Sequence, residues 1–221
     1  MDNILPMSRY MDIPIRHLYQ CNTKTEKMAF FRTLLSVVFL STFLRSAAST
    51  NTIDSLIPYK KFIKDQCNST TNAALCYNSL SPYASKIKRN RLTLTKLSIH
   101  VALKAAKSAN STLTRLSKVK LSHGESSVIA DCRETIADTL DLLQKSTQAL
   151  AHLNGASTAD ERFQWDSIKT WLSASITDGS TCIDEFDEIK VRSSLRNMIK
   201  TTVSNVSSLI SIALALVNRL F

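Results

Sequence analysis

The sequence is poor in the residues that let a chain turn sharply, with 3 glycines and 4 prolines among 221 residues. A sandwich, a barrel or a doubly wound sheet needs many tight turns, so this scarcity argues against all three. Aromatic residues make up only 7% of the chain, and a core must come largely from small and aliphatic side chains. No glycine-rich phosphate loop, nucleophile-elbow pattern or metal-binding spacing of histidine and cysteine occurs. Serine, threonine, leucine, alanine and lysine dominate instead, and the chain reads as nearly all helix. Its length suits one ordinary domain or two small ones. The net charge is +10, a balance that fits nucleic acid, a membrane surface or an acidic polysaccharide without choosing among them.

Leu34 to Leu44 form an apolar run of 11 residues, preceded by Lys24, Lys27 and Arg32 and followed by Ser46-Ala47-Ala48. This is the layout of a secretory signal peptide cut after Ala48. The run is too short for a spanning helix, which needs about 20 apolar residues. The polar stretch before Met28 is long for a signal peptide, so Met28 is an alternative start, and an uncleaved anchor is the competing reading. Residues 1–48 are assigned to the signal and 49–221 to the mature chain. The mature chain keeps 22 basic and 15 acidic residues, a net charge of +7. Cys21 leaves with the signal, and Cys67, Cys76, Cys132 and Cys182 remain. An even count in an oxidising compartment reads as two disulfides. Sequons at Asn68, Asn110 and Asn205 fit secretion, with Asn205 expected to lie too deep in a helix to carry sugar.

Two short helical stretches, from about Ile53 to Gln66 and from Ala73 to about Leu80, flank the polar turn Asn68–Asn72. They predict a small hairpin within 49–89, closed by Ser81-Pro82. Four longer amphipathic stretches follow within 90–221. The first runs from Leu92 to about Val119, with His123-Gly124 as its stop, and the second from about Ser127 to Leu153, with Asn154-Gly155 as its stop. The third covers about Asp160 to Ser175, on a stripe of Trp165, Ile168, Leu172 and Ile176. The fourth covers about Asp187 to Phe221, with Val191, Leu195, Met198, Val206, Leu209, Ala213 and Leu216 as its apolar face. Short joints force antiparallel neighbours, so the prediction is an all-α, up-down-up-down four-helix bundle beside the hairpin. If the second and third helices fold back near Ser157, Cys132 and Cys182 lie equally far from the turn. That geometry favours pairing Cys67 with Cys76 and Cys132 with Cys182.

Catalysis finds little support. His100, His123 and His152 are separated in sequence, and oxidised cysteines leave no thiol nucleophile. No cofactor or metal is expected. The chain reads as a protein that binds. Basic residues at Lys60-Lys61, Lys86-Ile-Lys-Arg89 and Arg115–Lys120 describe a solvated surface or, more sharply, weak retention on pectate. Secretion argues against nucleic acid. The run Leu209–Val217 reads as a buried last helix rather than a membrane or lipid anchor. Glu134, Asp138 and Asp141 fall at i, i+4 and i+7 on one helix face, either as ordinary surface acidity paired with Arg133 and Lys145 or as a partner-facing patch. A second group, Asp184, Glu185, Asp187 and Glu188, is expected just before the last helix, where acids favour the N-terminus. A disulfide between Cys132 and Cys182 would bring Thr181 and Asp184 close to Glu134.

Several segments in this order resemble the plant invertase and pectin methylesterase inhibitor family. They are Cys67 and Cys76 in the hairpin, Asp131-Cys132 with Ala137-Asp138, and Thr170-Trp-Leu-Ser-Ala-Ser175 leading into Asp178-Gly-Ser-Thr-Cys182-Ile-Asp184-Glu-Phe186. The resemblance covers about Asn51 to Phe221. It implies secreted proteins that bind and block a carbohydrate-active enzyme. Ser79-Leu-Ser-Pro-Tyr-Ala84, the Trp171 segment and Ala213-Leu-Ala-Leu-Val-Asn218 look like the pectin methylesterase branch, and the Pro-Lys-Phe motif of invertase inhibitors is absent. By resemblance, Glu134, Asp138, Asp141, Thr181 and Asp184 would face the substrate cleft of a pectin methylesterase in a one-to-one complex. Invertase is the alternative partner, and a pectate-binding wall protein without inhibitory action is the alternative role. No membrane association is expected once the signal is cut.

Overall fold

The computed structural model describes residues 32, 35, 56–153 and 157–220. The signal segment apart from those first two positions, Met28, the Ala48 cleavage point and the Asn154-Gly155 stop lie outside the described residues. The chain divides at Asp54 into two compact units, and the second, Ser55–Phe221, contains both disulfides and the long helices.

Helix α1 covers 56–67 and α2 covers Ala73–Leu80, with Asn72 accepting a hydrogen bond from the Leu75 amide at 3.0 Å as the N-cap of α2. Cys67 and Cys76 are disulfide-bonded across this hairpin, as expected. A single 3₁₀ turn at Ser81–Tyr83 and the short α3, Ala84–Ile87, carry the chain into the bundle. The bundle helices are α4 (Arg91–Leu116), α5 (His123–His152), α6 (Ala159–Glu188) and α7 (Ser193–Val217). Each packs on the next, and α7 closes the ring against α4, which leaves α4 diagonal to α6. The all-helical bundle with an opening hairpin is the predicted architecture.

The order of pairing along α5 and α6 shows that they run antiparallel. Cys132 is bonded to Cys182, and seven residues further along α5 the Thr139 hydroxyl reaches back to the Ser175 carbonyl at 3.5 Å, seven residues earlier on α6. The core follows a heptad alternation most cleanly on α6, where Trp165, Ile168, Leu172, Ser175, Gly179, Cys182 and Phe186 are all buried. Ser175 takes the place expected for Ile176. Of the stripe expected for the last helix, Val191, Leu195, Val206, Leu209, Ala213 and Leu216 are buried as expected, and only Met198 is exposed, its place in the core taken by Ile199. Leu209, Ile210, Ile212, Ala213, Leu216 and Val217 pack into the common core, although α7 is long and apolar enough to cross a membrane by length and composition.

Two boundaries differ from the sequence reading. His123-Gly124 does not stop α4; it opens α5. Ser122 and Glu125 form a capping box, each side chain bonded to the other's backbone amide, and this Ser-x-x-Glu signature outweighs the glycine as a stop. Likewise α6 runs on past Ser175 through Gly179 to Glu188. Gly179 has no left-handed backbone. Its role is steric, because a Cβ there would collide with Ser207 Oγ and touch Val203 Cγ1 at 3.5 Å, both on α7. Asp184, Glu185, Asp187 and Glu188 therefore belong to the end of α6, not to the start of α7.

The loop into α7 is fixed from outside. Glu125 is buried, and its Oε1 accepts from the Arg192 backbone amide at 3.2 Å and from Arg192 Nε at 2.6 Å. Arg192 is the N-cap of α7 and offers no side-chain cap of its own, so one carboxylate serves the starts of both α5 and α7. The Arg192 guanidinium lowers the Glu125 pKa most, the Ser122 amide next, and burial opposes both, leaving it at about 2.

Candidate functional site: the acidic face of α5 and α6

Helix geometry places Glu134, Asp138 and Asp141 along one stripe of α5, and all three are exposed. The stripe borders α6, because the Asp138 charge acts on Asp178 of that helix. Following the register set by the disulfide, Glu134 stands level with Thr181, and Asp184 lies one turn farther toward the start of α5. Thr181 and Asp184 are exposed on α6. The Thr181 hydroxyl donates to the Thr177 carbonyl at 3.1 Å, which leaves its oxygen free to accept. The five residues singled out in the sequence thus share one face of the α5–α6 pair, with the Cys132–Cys182 bond buried beneath it.

Two further carboxylates extend this face. Asp131 precedes Glu134 by one turn and stands level with Asp184. Asp178 is half-buried at the seam beside Asp138, and the Thr139 hydroxyl donates to its Oδ2 at 3.4 Å. Burial raises the Asp178 pKa, the Thr139 bond opposes that rise, and the Asp138 charge adds to it. Asp131 could have been found by stepping three residues back along the stripe. Asp178 was hidden because its helix was expected to stop before it.

Among the described residues neither Arg133 nor Lys145 forms an ion pair with the stripe. Ion pairs form elsewhere, at Asp166 with Lys169, Glu125 with Arg192, and Asp187 with Lys200 at 3.6 Å. Asp184, Glu185 and Glu188 meet the negative end of the α6 dipole, which disfavours each by up to about 1 kcal/mol at low ionic strength. The Arg196 guanidinium donates to the Phe186 carbonyl and satisfies one acceptor of that terminus. Among the described residues the exposed carboxylates of this face have no ion-pair partner, which suits it to cations and hydrogen-bond donors on a partner.

Elsewhere the chemistry is sparse. His100, His123 and His152 are exposed on different parts of the bundle. Among the described residues no cluster of histidine, cysteine, aspartate or glutamate could hold a metal ion. The sequon at Asn68 occupies the exposed hairpin turn, and Asn110 is half-buried on α4. Asn205 is exposed on α7, against the expectation of burial.

Residues 61–216 match the family described as plant invertase/pectin methylesterase inhibitor. Pectinesterase inhibitor 9 of Arabidopsis thaliana is 34% identical over 199 residues, which are 87% of this chain and 95% of that protein. Pectinesterase inhibitor 10 of the same plant is 36% identical over 158 residues; the match takes in 71% of this chain and only 50% of that longer protein. A crystal structure of a mutant form of a pectin methylesterase inhibitor from Arabidopsis shares the fold, with a TM-score of 0.56, 17% identity, and coverage of 70% of this chain and 94% of that one. The match over most of the bundle, together with the two disulfides and the helix order, places this chain in the plant invertase/pectin methylesterase inhibitor family.

Proposed function

We propose that this protein is an extracellular inhibitor of plant pectin methylesterase and not itself an enzyme. It would dock the α5–α6 face over the enzyme's substrate cleft in a one-to-one complex and so keep cell-wall pectin methylated. The observation that carries this reading is the row of exposed carboxylates without ion-pair partners among the described residues, held on two helices joined by a buried disulfide. Relatives named as pectinesterase inhibitors support the choice of enzyme over invertase. The contact residues proposed are Glu134, Asp138, Asp141, Thr181 and Asp184, with Asp131 at the edge.

The test is the disulfide-bonded protein, secreted from a eukaryotic host, titrated against pectin methylesterase and invertase in parallel between about pH 5 and pH 7, above the ordinary carboxylate range. Inhibition of pectin demethylation with sucrose hydrolysis untouched is expected. Changing Glu134, Asp138 and Asp141 together to their amides should weaken that inhibition at least about tenfold, by removing charge at the contact. Inhibition of invertase alone would transfer the site to the other partner. Full inhibition by the triple amide variant would remove the acidic face from the mechanism.

A further inference from the structure

The bundle is divided by charge along its length. Helices α4 and α7 contain no aspartate or glutamate at all, and the acid-free stretch continues from Gln66 to Gly124 while holding ten lysines and arginines. Helices α5 and α6 carry the opposite balance, with 13 acidic and four basic residues between Glu125 and Glu188. On α4 the cations are not scattered. Lys104, Lys107 and Arg115 recur at helical spacing on its exposed side, and Lys118 and Lys120 continue just beyond its end. None of these lysines and arginines has a carboxylate partner within the described residues. Between them the exposed residues of α4 are hydroxyl-bearing, Ser108 and Ser111.

We propose that the outer face of α4 is a second binding surface, which holds a polyuronate chain, a sugar polymer carrying one carboxylate per residue. The cations are spread singly along about 17 Å of helix and on into the turn beyond it rather than gathered into one pocket, which matches charges repeated along an extended polymer. The serines between them suit sugar hydroxyls. The exposed side of α4 offers no phenylalanine, tyrosine or tryptophan for stacking a nucleic-acid base, and the surface has a single exposed apolar side chain, Val119 between Lys118 and Lys120, where insertion into a lipid surface takes a row of them. Because α4 lies diagonally across the bundle from α6, the polymer and a protein docked on the acidic face would occupy different sides. The surface stands on the residues of α4 alone and does not rest on the inhibitory reading. If both hold, the inhibitor stays where carboxylates have already been uncovered.

The decisive comparison uses the full disulfide-bonded protein on immobilised polygalacturonate, on fully methyl-esterified pectin, on a DNA oligonucleotide and on phosphatidylserine vesicles, over a salt series. Salt-sensitive retention on polygalacturonate, absent on the esterified polymer and weaker on the other two, is expected. The variant K104Q/K107Q/R115Q should bind polygalacturonate about tenfold more weakly, from three exposed charge contacts. Circular dichroism checks that it remains folded, and its inhibition of pectin methylesterase should be unchanged. Undiminished retention of that variant overturns the proposal, as does equal retention on the esterified polymer. Tighter binding to the oligonucleotide or the vesicles reassigns the face to that class and overturns the polyuronate. An inhibition assay that fails while this binding persists refutes the inhibitory reading alone.

Discussion

The two halves of the bundle hold themselves together differently. The α5–α6 pair is covalently joined, and both of its helices begin with a capping box, Ser122 with Glu125 and Thr158 with Glu161. The α4–α7 pair has neither device. Its helices bring small and branched side chains to the common core, among them Ala102, Ala106 and Ala109 on α4 and Val203, Val206 and Ala213 on α7. The half that carries the carboxylates is the half that is stapled. An array of repelling carboxylates keeps a fixed geometry only on a scaffold that does not yield, whereas the face proposed for a flexible polymer has no such need.

The sharpest way to break this contrast is to remove the staples. By the loop-entropy relation, opening Cys132–Cys182 by changing both cysteines to alanine should cost about 4 kcal/mol, and opening Cys67–Cys76 about 3 kcal/mol. Calorimetry should find the larger fall in Tm for the first pair, and inhibition should weaken with it. The joint between the halves can be tested at Gly179. Gly179→Ala should destabilise by about 1–3 kcal/mol through its collision with Ser207. Adding Ser207→Ala should restore much of the loss in denaturant titrations.

Acid tests the other joint. Glu125 has a lowered pKa in the fold, so its contribution is complete above the unfolded carboxylate pKa and disappears as the pH falls through about 2. Unfolding midpoints should decline over that window, and Glu125→Gln should flatten the decline while lowering stability at neutral pH. Asp178 has the opposite sign. Its raised pKa makes the charged form a burden that grows as the pH rises through its folded value. Asp178→Asn keeps an acceptor for Thr139 and should raise Tm slightly at neutral pH, the smallest of these effects. A fall in Tm would show that another group nearby compensates the Asp178 charge.

The sequence made the architecture legible because its signals are long and repeated. Four amphipathic stretches joined by short turns allow few packings, and the equal spacing of Cys132 and Cys182 about Ser157 sets the α5–α6 register. Boundaries were harder where one residue serves two purposes. Gly124 reads as a stop by composition yet follows a capping serine, and Gly179 lies past the expected end of its helix yet sits inside it and admits a neighbouring helix. Misplacing the end of α6 also hid the nature of its acids, which looked like favourable companions of a helix start. The carboxylates of α5 needed only the helical period to be found. Asp178 needed the register, which becomes available only once the two helices are paired.

The end of α6 has a consequence for motion. Among its four acids only Asp187 has a cation beside it within the described residues, Lys200 at 3.6 Å, and the terminal carbonyls add to the negative potential there. That last turn should be the first part of α6 to fray, with its backbone amides exchanging hydrogen faster than those around Leu172 and Ser175. A cationic surface laid against it would quiet the turn without changing its shape. Exchange protection at residues 185–188 would then report occupancy of the acidic face from within the protein, independently of any enzyme assay.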